Sequence, residues 1–215
     1  MNDRREKMKL IDYSIKDFSN ELASNSPAPG GGSTAAIEAG FGVSLIAMVC
    51  ELTIANKKYA EHIDVSNQIK DEAKKLQERL MQLVDEDSEA FNVVSAAFSM
   101  KKETDEEKSL RRKAIQDGLK GCVVPPMEVL SKSCEGLNLI KKLIDNYNTF
   151  TASDLGTAIG SLKAAGLGAY LNVLINIGSI KDEEFVKENK DKADNYIKQI
   201  DDLYNELMDK IFKQL

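Results

Sequence analysis

The positions Ile69, Ala73, Leu76, Leu80, Leu83, Asp87, Ala90, Val94 and Ala97 follow one another in steps of four and three. That is the repeat of one inward-facing seam on a long α-helix, and eight of the nine residues are apolar or small. Period-two alternation of β-branched residues, the mark of strands, is nearly absent elsewhere in the chain. The pattern predicts an all-α protein: a multi-helix bundle of roughly five to seven helices, read from the spacing of apolar residues.

Stop and start signals divide the chain. Ser14 is placed to cap a helix reaching Ala23, and a second helix is expected from about Ser33 to Lys58 after the loop S-N-S-P-A-P-G-G-G. The seam helix runs from about Asp64 to Met100. Thr104 with Glu107 forms a capping box for a fourth helix, which Pro125 and Pro126 kink or break before it resumes from Met127 to about Asp145. After the polar segment N-Y-N-T-F-T-A-S-D, Ser153 is the expected cap of a helix continuing through Ile177, and a last helix fills Asp182 to Leu215. The helices at 33–58 and 154–177 are poor in charge and rich in glycine and alanine, so they are expected at the centre, surrounded by the others.

With 215 residues and 42% hydrophobic content the chain is long enough for one sizeable core, and no repeat or linker divides it, so residues 1–215 read as a single domain. Its net charge of −6 is spread over interleaved acids and bases, which leaves no basic field for nucleic acid. The opening M-N-D-R-R-E-K-M-K-L-I-D is too charged for a secretory signal, so a cytoplasmic protein is expected. Glu38 and Glu51 interrupt the longest apolar run, and no membrane span is expected. Cys50, Cys122 and Cys134 are read as reduced packing residues, and the single histidine, His62, excludes a multi-histidine metal centre.

Three features break the pattern. Asp87 puts a carboxylate on the seam, where burial costs several kcal/mol, roughly, unless the group is paired, hydrogen-bonded or protonated. Asp85, two residues earlier, points to the opposite side. Asn172 and Asn176 place two amides in the otherwise apolar N-V-L-I-N, and each needs polar partners. Asp154 and Ser153 add polar groups at the start of the same helix. Finally, Gly30, Gly31 and Gly32 leave backbone N–H groups accessible just before a helix N-terminus, a cradle for an oxygen-bearing or anionic group. Each has a structural alternative: a buried ion pair for the acid, an internal network for the amides, an ordinary helix start for the glycines.

Together S-N-S-P-A-P-G-G-G-S (24–33), V-D-E-D-S-E-A-F (84–91), S-D-L (153–155) and G-A-Y-L-N-V-L-I-N (168–176) resemble the cyclodeaminase and cyclohydrolase family acting on one-carbon folates. The chain is similar to a free-standing C-terminal domain of formiminotransferase-cyclodeaminase. The resemblance implies an all-helical homodimer that closes the formimino group of 5-formiminotetrahydrofolate onto N10, releasing ammonia and 5,10-methenyltetrahydrofolate. Its sister activity, methenyltetrahydrofolate cyclohydrolase, opens that ring with water. The deaminase is the first expectation, because G-A-Y-L-N-V-L-I-N is closer to the deaminase domain. A non-catalytic helical module binding folate or a partner protein is the alternative from another class.

Carried over motif by motif, the resemblance makes Asp87 the acid/base, with Asp85 in reserve. Gly30, Gly31, Gly32 and Ser33 would line the folate pocket, and Asp154, Asn172 and Asn176 would make polar contacts. Lys57 and Lys58 rank behind the pocket residues as candidates for the folate's glutamate tail, because a cation pair at a helix C-terminus is the more ordinary reading. The tetrahydrofolate derivative is the only small molecule implied; neither a metal nor a separate cofactor is expected.

Overall fold

The computed structural model describes residues 8–215, so most of the charged opening segment on which the cytoplasmic expectation rests lies outside the described residues. Seven α-helices follow in order: α1 (Ile15–Leu22), α2 (Gly31–Ile54), α3 (Ile63–Phe98), α4 (Asp105–Gly121), α5 (Val124–Leu143), α6 (Ala152–Ile177) and α7 (Glu183–Phe212). Short 3-10 turns at Leu10–Asp12, Lys57–His62 and Thr149–Thr151 join them, and the described residues hold no strand.

Local signals set several ends. Ser14 accepts a hydrogen bond from the Asp17 N–H at the start of α1, and Asp182 does the same for Phe185 at the start of α7. Thr104 and Glu107 form the expected capping box of α4. The helix breaks as expected, between Gly121 and Val124, but it resumes before the prolines instead of at Met127: Pro125 and Pro126 lie in the first turn of α5, where the missing N–H groups have no intrahelical acceptor to lose. Ser153 is not a cap. The helix starts two residues earlier, because the Asn148 N–H is bonded to Thr53 Oγ1 at the end of α2, Asn148 Oδ1 caps the 3-10 turn through Phe150, and α6 begins at Ala152.

α2 packs against α3, α5 and α6, and α6 also packs against α5 and α7. α2 and α6 run antiparallel: Gly31 lies beside Asn172, Gly168 beside Ala35, and Gly42 beside Leu162. Leu162 is fully buried and is received by glycines on two sides, Gly42 of α2 and Gly136 of α5, which lets three helices converge. Seven of the nine seam residues of α3 are buried; Ala90 and Asp87 are partly so.

The central pair is not wholly enclosed, contrary to expectation. α2 leaves Phe41, Met48 and Leu52 exposed, and α6 leaves Leu167, Leu171 and Ile175 exposed, so each buries one side only within a single chain. Both stretches are also long and apolar enough to cross a membrane, so Glu38 and Glu51 are weaker interruptions than the sequence reading took them to be. Their inward faces are used for packing against α3, α5 and each other.

Candidate active site at the start of α2

The glycine run is helix rather than loop. Gly30 is the N-cap and α2 starts at Gly31, two residues earlier than Ser33, with the first intrahelical bond running from the Thr34 N–H to the Gly30 carbonyl. The N–H groups of Gly31, Gly32 and Ser33 therefore belong to the unpaired first turn, where the helix carries partial positive charge. What the bare backbone admits is specific. A Cβ at Gly32 would stand 2.5 Å from Asp87 Cγ and 2.7 Å from its Oδ2, and one at Gly31 would stand 3.1 Å from Asn172 Nδ2. At Gly30 it would meet nothing within 4 Å. Two of the three glycines thus make room for the two anomalous side chains of α3 and α6.

Asp87 is half-buried and makes no ion pair among the described residues. Its Oδ2 accepts a hydrogen bond of 3.0 Å from Ser33 Oγ. Burial raises its pKa, and the Ser33 hydroxyl and backbone N–H oppose that rise by favouring the charged form. Ser33 is fully buried, with its hydroxyl turned toward Asp87 and 3.1 Å from Ser88 Oγ; it orients the carboxylate instead of facing a pocket. The Cys122 thiol, at the α4–α5 junction, is pushed up to about 11 by burial and then by the charge of Asp87, so it stays protonated at neutral pH.

The two amides divide in role. Asn176 donates to the Cys122 carbonyl at 2.7 Å and ties α6 to the α4–α5 junction. Asn172 donates to Gly168 O of its own helix at 2.8 Å, and its Oδ1 makes no hydrogen bond among the described residues, leaving an acceptor beside Gly31. Ser88 and Cys122 are neighbours of Asp87 that the sequence reading missed. Ser88 lies off the seam, and nothing in the spacing of Cys122 distinguishes it from a packing residue.

Other candidates are elsewhere. Asp85 Oδ1 accepts the Leu10 N–H at 2.7 Å and serves the 3-10 turn at Leu10–Asp12. Asp154 lies in the first turn of α6, about 27 Å along the helix from Asn172 at 1.5 Å per residue. Lys57 and Lys58 follow the far end of α2, about 35 Å from the glycines by the same rise, and Lys58 Nζ lies 5.4 Å from the Tyr59 ring and 5.8 Å from the Phe150 ring. Within one chain neither lysine approaches Asp87. A groove of about 600 Å³ between α3 and α5, with Arg79 forked between Glu86 and Glu128, also lies away from it.

The arrangement suits proton transfer beside a bound group. A carboxyl pushed toward its neutral form by burial and held by one serine beside a helix N-terminus can take a proton and return it within one site.

Comparison with known proteins follows the same lines. The model of the formiminotransferase-cyclodeaminase family matches residues 14–195. The chain is 36% identical to a methenyltetrahydrofolate cyclohydrolase of Methylorubrum extorquens over 81% of its own length and 84% of that protein. It is 30% identical to the formimidoyltransferase-cyclodeaminase of Rattus norvegicus over 88% of its length, but spans only 35% of that longer protein. The crystal structure of a formiminotetrahydrofolate cyclodeaminase from Thermotoga maritima superposes with a TM-score of 0.84 at 26% identity, covering 94% of this chain and 97% of that one.

Proposed function

Since the chain belongs to the formiminotransferase-cyclodeaminase family of one-carbon folate enzymes, we propose that it acts on the carbon bridging N5 and N10 of tetrahydrofolate, with methenyltetrahydrofolate hydrolysis as its reaction. The observation that carries the reading is Asp87 seated on Gly32, hydrogen-bonded by Ser33 and without a countercharge among the described residues. The methenyl substrate is a cation, which a carboxylate at this place stabilises. Asp87 takes a proton as water oxygen bonds to the methenyl carbon. Asp87 then gives that proton to the departing nitrogen as one C–N bond breaks, and takes the hydroxyl proton as the formyl C=O forms. Formyltetrahydrofolate leaves, and each turnover releases one proton to solvent.

The deaminase is the second reading, supported by the likeness to the Thermotoga maritima structure and by G-A-Y-L-N-V-L-I-N. There the formimino group enters as its amidinium cation, and the proton that N10 loses on attacking its carbon passes through Asp87 to the departing nitrogen, which leaves as ammonia with no net release of a proton from the site. We place hydrolysis first because whole-chain identity to the cyclohydrolase weighs more than one nine-residue segment. Purified protein given methenyltetrahydrofolate should bleach the methenyl absorbance faster than buffer alone. Gain of that absorbance and ammonia from 5-formiminotetrahydrofolate alone would reverse the order, and inertness toward both would favour a binding module.

The exposed Phe41, Met48 and Leu52 of α2 and Leu167, Leu171 and Ile175 of α6 support a homodimer formed through this face. Ile175→Lys should lower the sedimenting mass by half; an unchanged mass for a folded variant would place the contact elsewhere.

A further inference from the structure

We infer that Ser33 and Ser88 form a proton exit from Asp87 to a water-accessible cavity beyond Ser88, so that the carboxyl can discharge its proton while substrate is bound. The inference rests on the hydrolytic reading, because only that reaction leaves a surplus proton on each turnover.

The three groups are in hydrogen-bonding line. Ser33 Oγ is 3.0 Å from Asp87 Oδ2 and 3.1 Å from Ser88 Oγ, and Ser33 is fully buried. A hydroxyl has a single hydrogen, so the order of donation is fixed by the charge of Asp87. With Asp87 ionised, Ser33 donates to it and Ser88 donates to Ser33. Once Asp87 carries a proton, the chain reverses: Asp87 donates to Ser33, Ser33 to Ser88, and Ser88 to whatever lies beyond. One proton enters at the carboxyl and one leaves at Ser88, with no change in the serines after both hydroxyls rotate back.

What lies beyond is a cavity of about 230 Å³ that includes Ser88, Asp85, Glu89, Asn92 and Ala28 in its lining and does not include Asp87 or the glycines. It has room for several waters, each occupying about 30 Å³ in the liquid. Lys9 lines it with Asp85 and Glu89, and the proton leaves through its water. Helix geometry separates the two sides: Asp87 faces the start of α2, and Ser88, about 100° further around α3, turns toward the segment before α2. Ser88 acts through Ser33 and is therefore a positioning residue rather than one that touches substrate.

The test is steady-state hydrolysis of methenyltetrahydrofolate by wild type and Ser88→Ala, with and without added imidazole as a small proton acceptor. Loss of the relay should lower kcat by about tenfold, less than the roughly hundredfold lost when the proton-transferring group itself is removed, with KM within about twofold. Turnover of the variant should climb with imidazole concentration, and wild type should respond little. An unchanged kcat, or a loss that imidazole does not lift, overturns the relay. If Ser88→Ala does not fold, Ser88→Cys keeps the volume with a weak donor and must show the same loss and the same response. Failure of the hydrolytic reading is visible separately, since wild type itself would then leave the substrate unconsumed.

Discussion

Asp87 of α3 occupies the space that any side chain at Gly32 of α2 would fill, with its Cγ only 2.5 Å from the place of the missing Cβ. The glycine is required by a neighbour fifty-five residues away, and the neighbour is the acid on which the proposed chemistry turns. Substituting Gly32→Ala must push the carboxyl out of line with Ser33. A displacement on the order of 1 Å costs about a hundredfold in rate, so turnover should fall by about that factor. Gly121→Ala at the end of α4, where a Cβ meets nothing within 4 Å, is the control and should retain most activity. Equal losses in the two variants, measured as kcat/KM, would detach the glycine from the acid.

Asp87→Asn separates chemistry from stability. Burial raises the Asp87 pKa above its ordinary value of 3.8. Between the unfolded and the raised folded pKa the native state holds more protons than the unfolded one, so ΔG of unfolding falls as pH rises through that window. The neutral asparagine lacks this loss. Turnover should drop by at least about a hundredfold, the scale of positioned acid–base catalysis. Thermal melts should show Tm of the variant gaining on wild type from pH 3.8 upward and levelling above the folded pKa. A Tm difference constant across that range would mean that the carboxyl is not shifted.

The sequence made some of this legible and hid the rest, for reasons of range. The α3 seam, the Thr104–Glu107 box and the Ser14 cap depend on residues three or four apart, and local spacing reads those directly. That Asp87 is an anomaly was visible too, because one polar residue interrupts the seam. Its contacts were not: Gly32 and Ser33 lie more than fifty positions away, and no period links them. The start of α6 was misread because several polar residues there are competent caps, and the choice is made by the long-range bond from the Asn148 N–H to Thr53. Lys57, Lys58 and Asp154 were gathered with the pocket by motif, whereas the lengths of α2 and α6 carry them to the other end of the bundle.

The asparagines should respond in opposite ways. Asn176→Ala leaves the Cys122 carbonyl without its donor in a largely enclosed junction, which costs about 1–2 kcal/mol of stability. Asn172→Ala removes only a bond to its own helix, so stability should change by about 0.5 kcal/mol or less. Its expected effect is a raised KM, through loss of the free Oδ1 beside Gly31. Urea unfolding and steady-state kinetics on both variants distinguish the two; a large stability loss at Asn172 would make it a structural residue.

Leu162 tests how the central helices are joined. It is fully buried between Gly42 and Gly136, whose added Cβ atoms would come within 2.9 Å and 3.0 Å of it. Truncation to alanine removes its transfer energy and leaves a void whose walls are two helix backbones, which cannot move inward without shifting whole helices. The cost should lie toward the upper end of the known range for Leu→Ala, about 4 kcal/mol. Gly136→Ala alone should also destabilise, by overpacking. Combined, the new methyl enters the space that Leu162 has vacated, so the double variant should be more stable than the sum of the two losses, by about 1 kcal/mol or more. Additive losses in urea unfolding would show that Leu162 does not fill the place of a side chain at Gly136, and that the convergence of α2, α5 and α6 rests on other contacts.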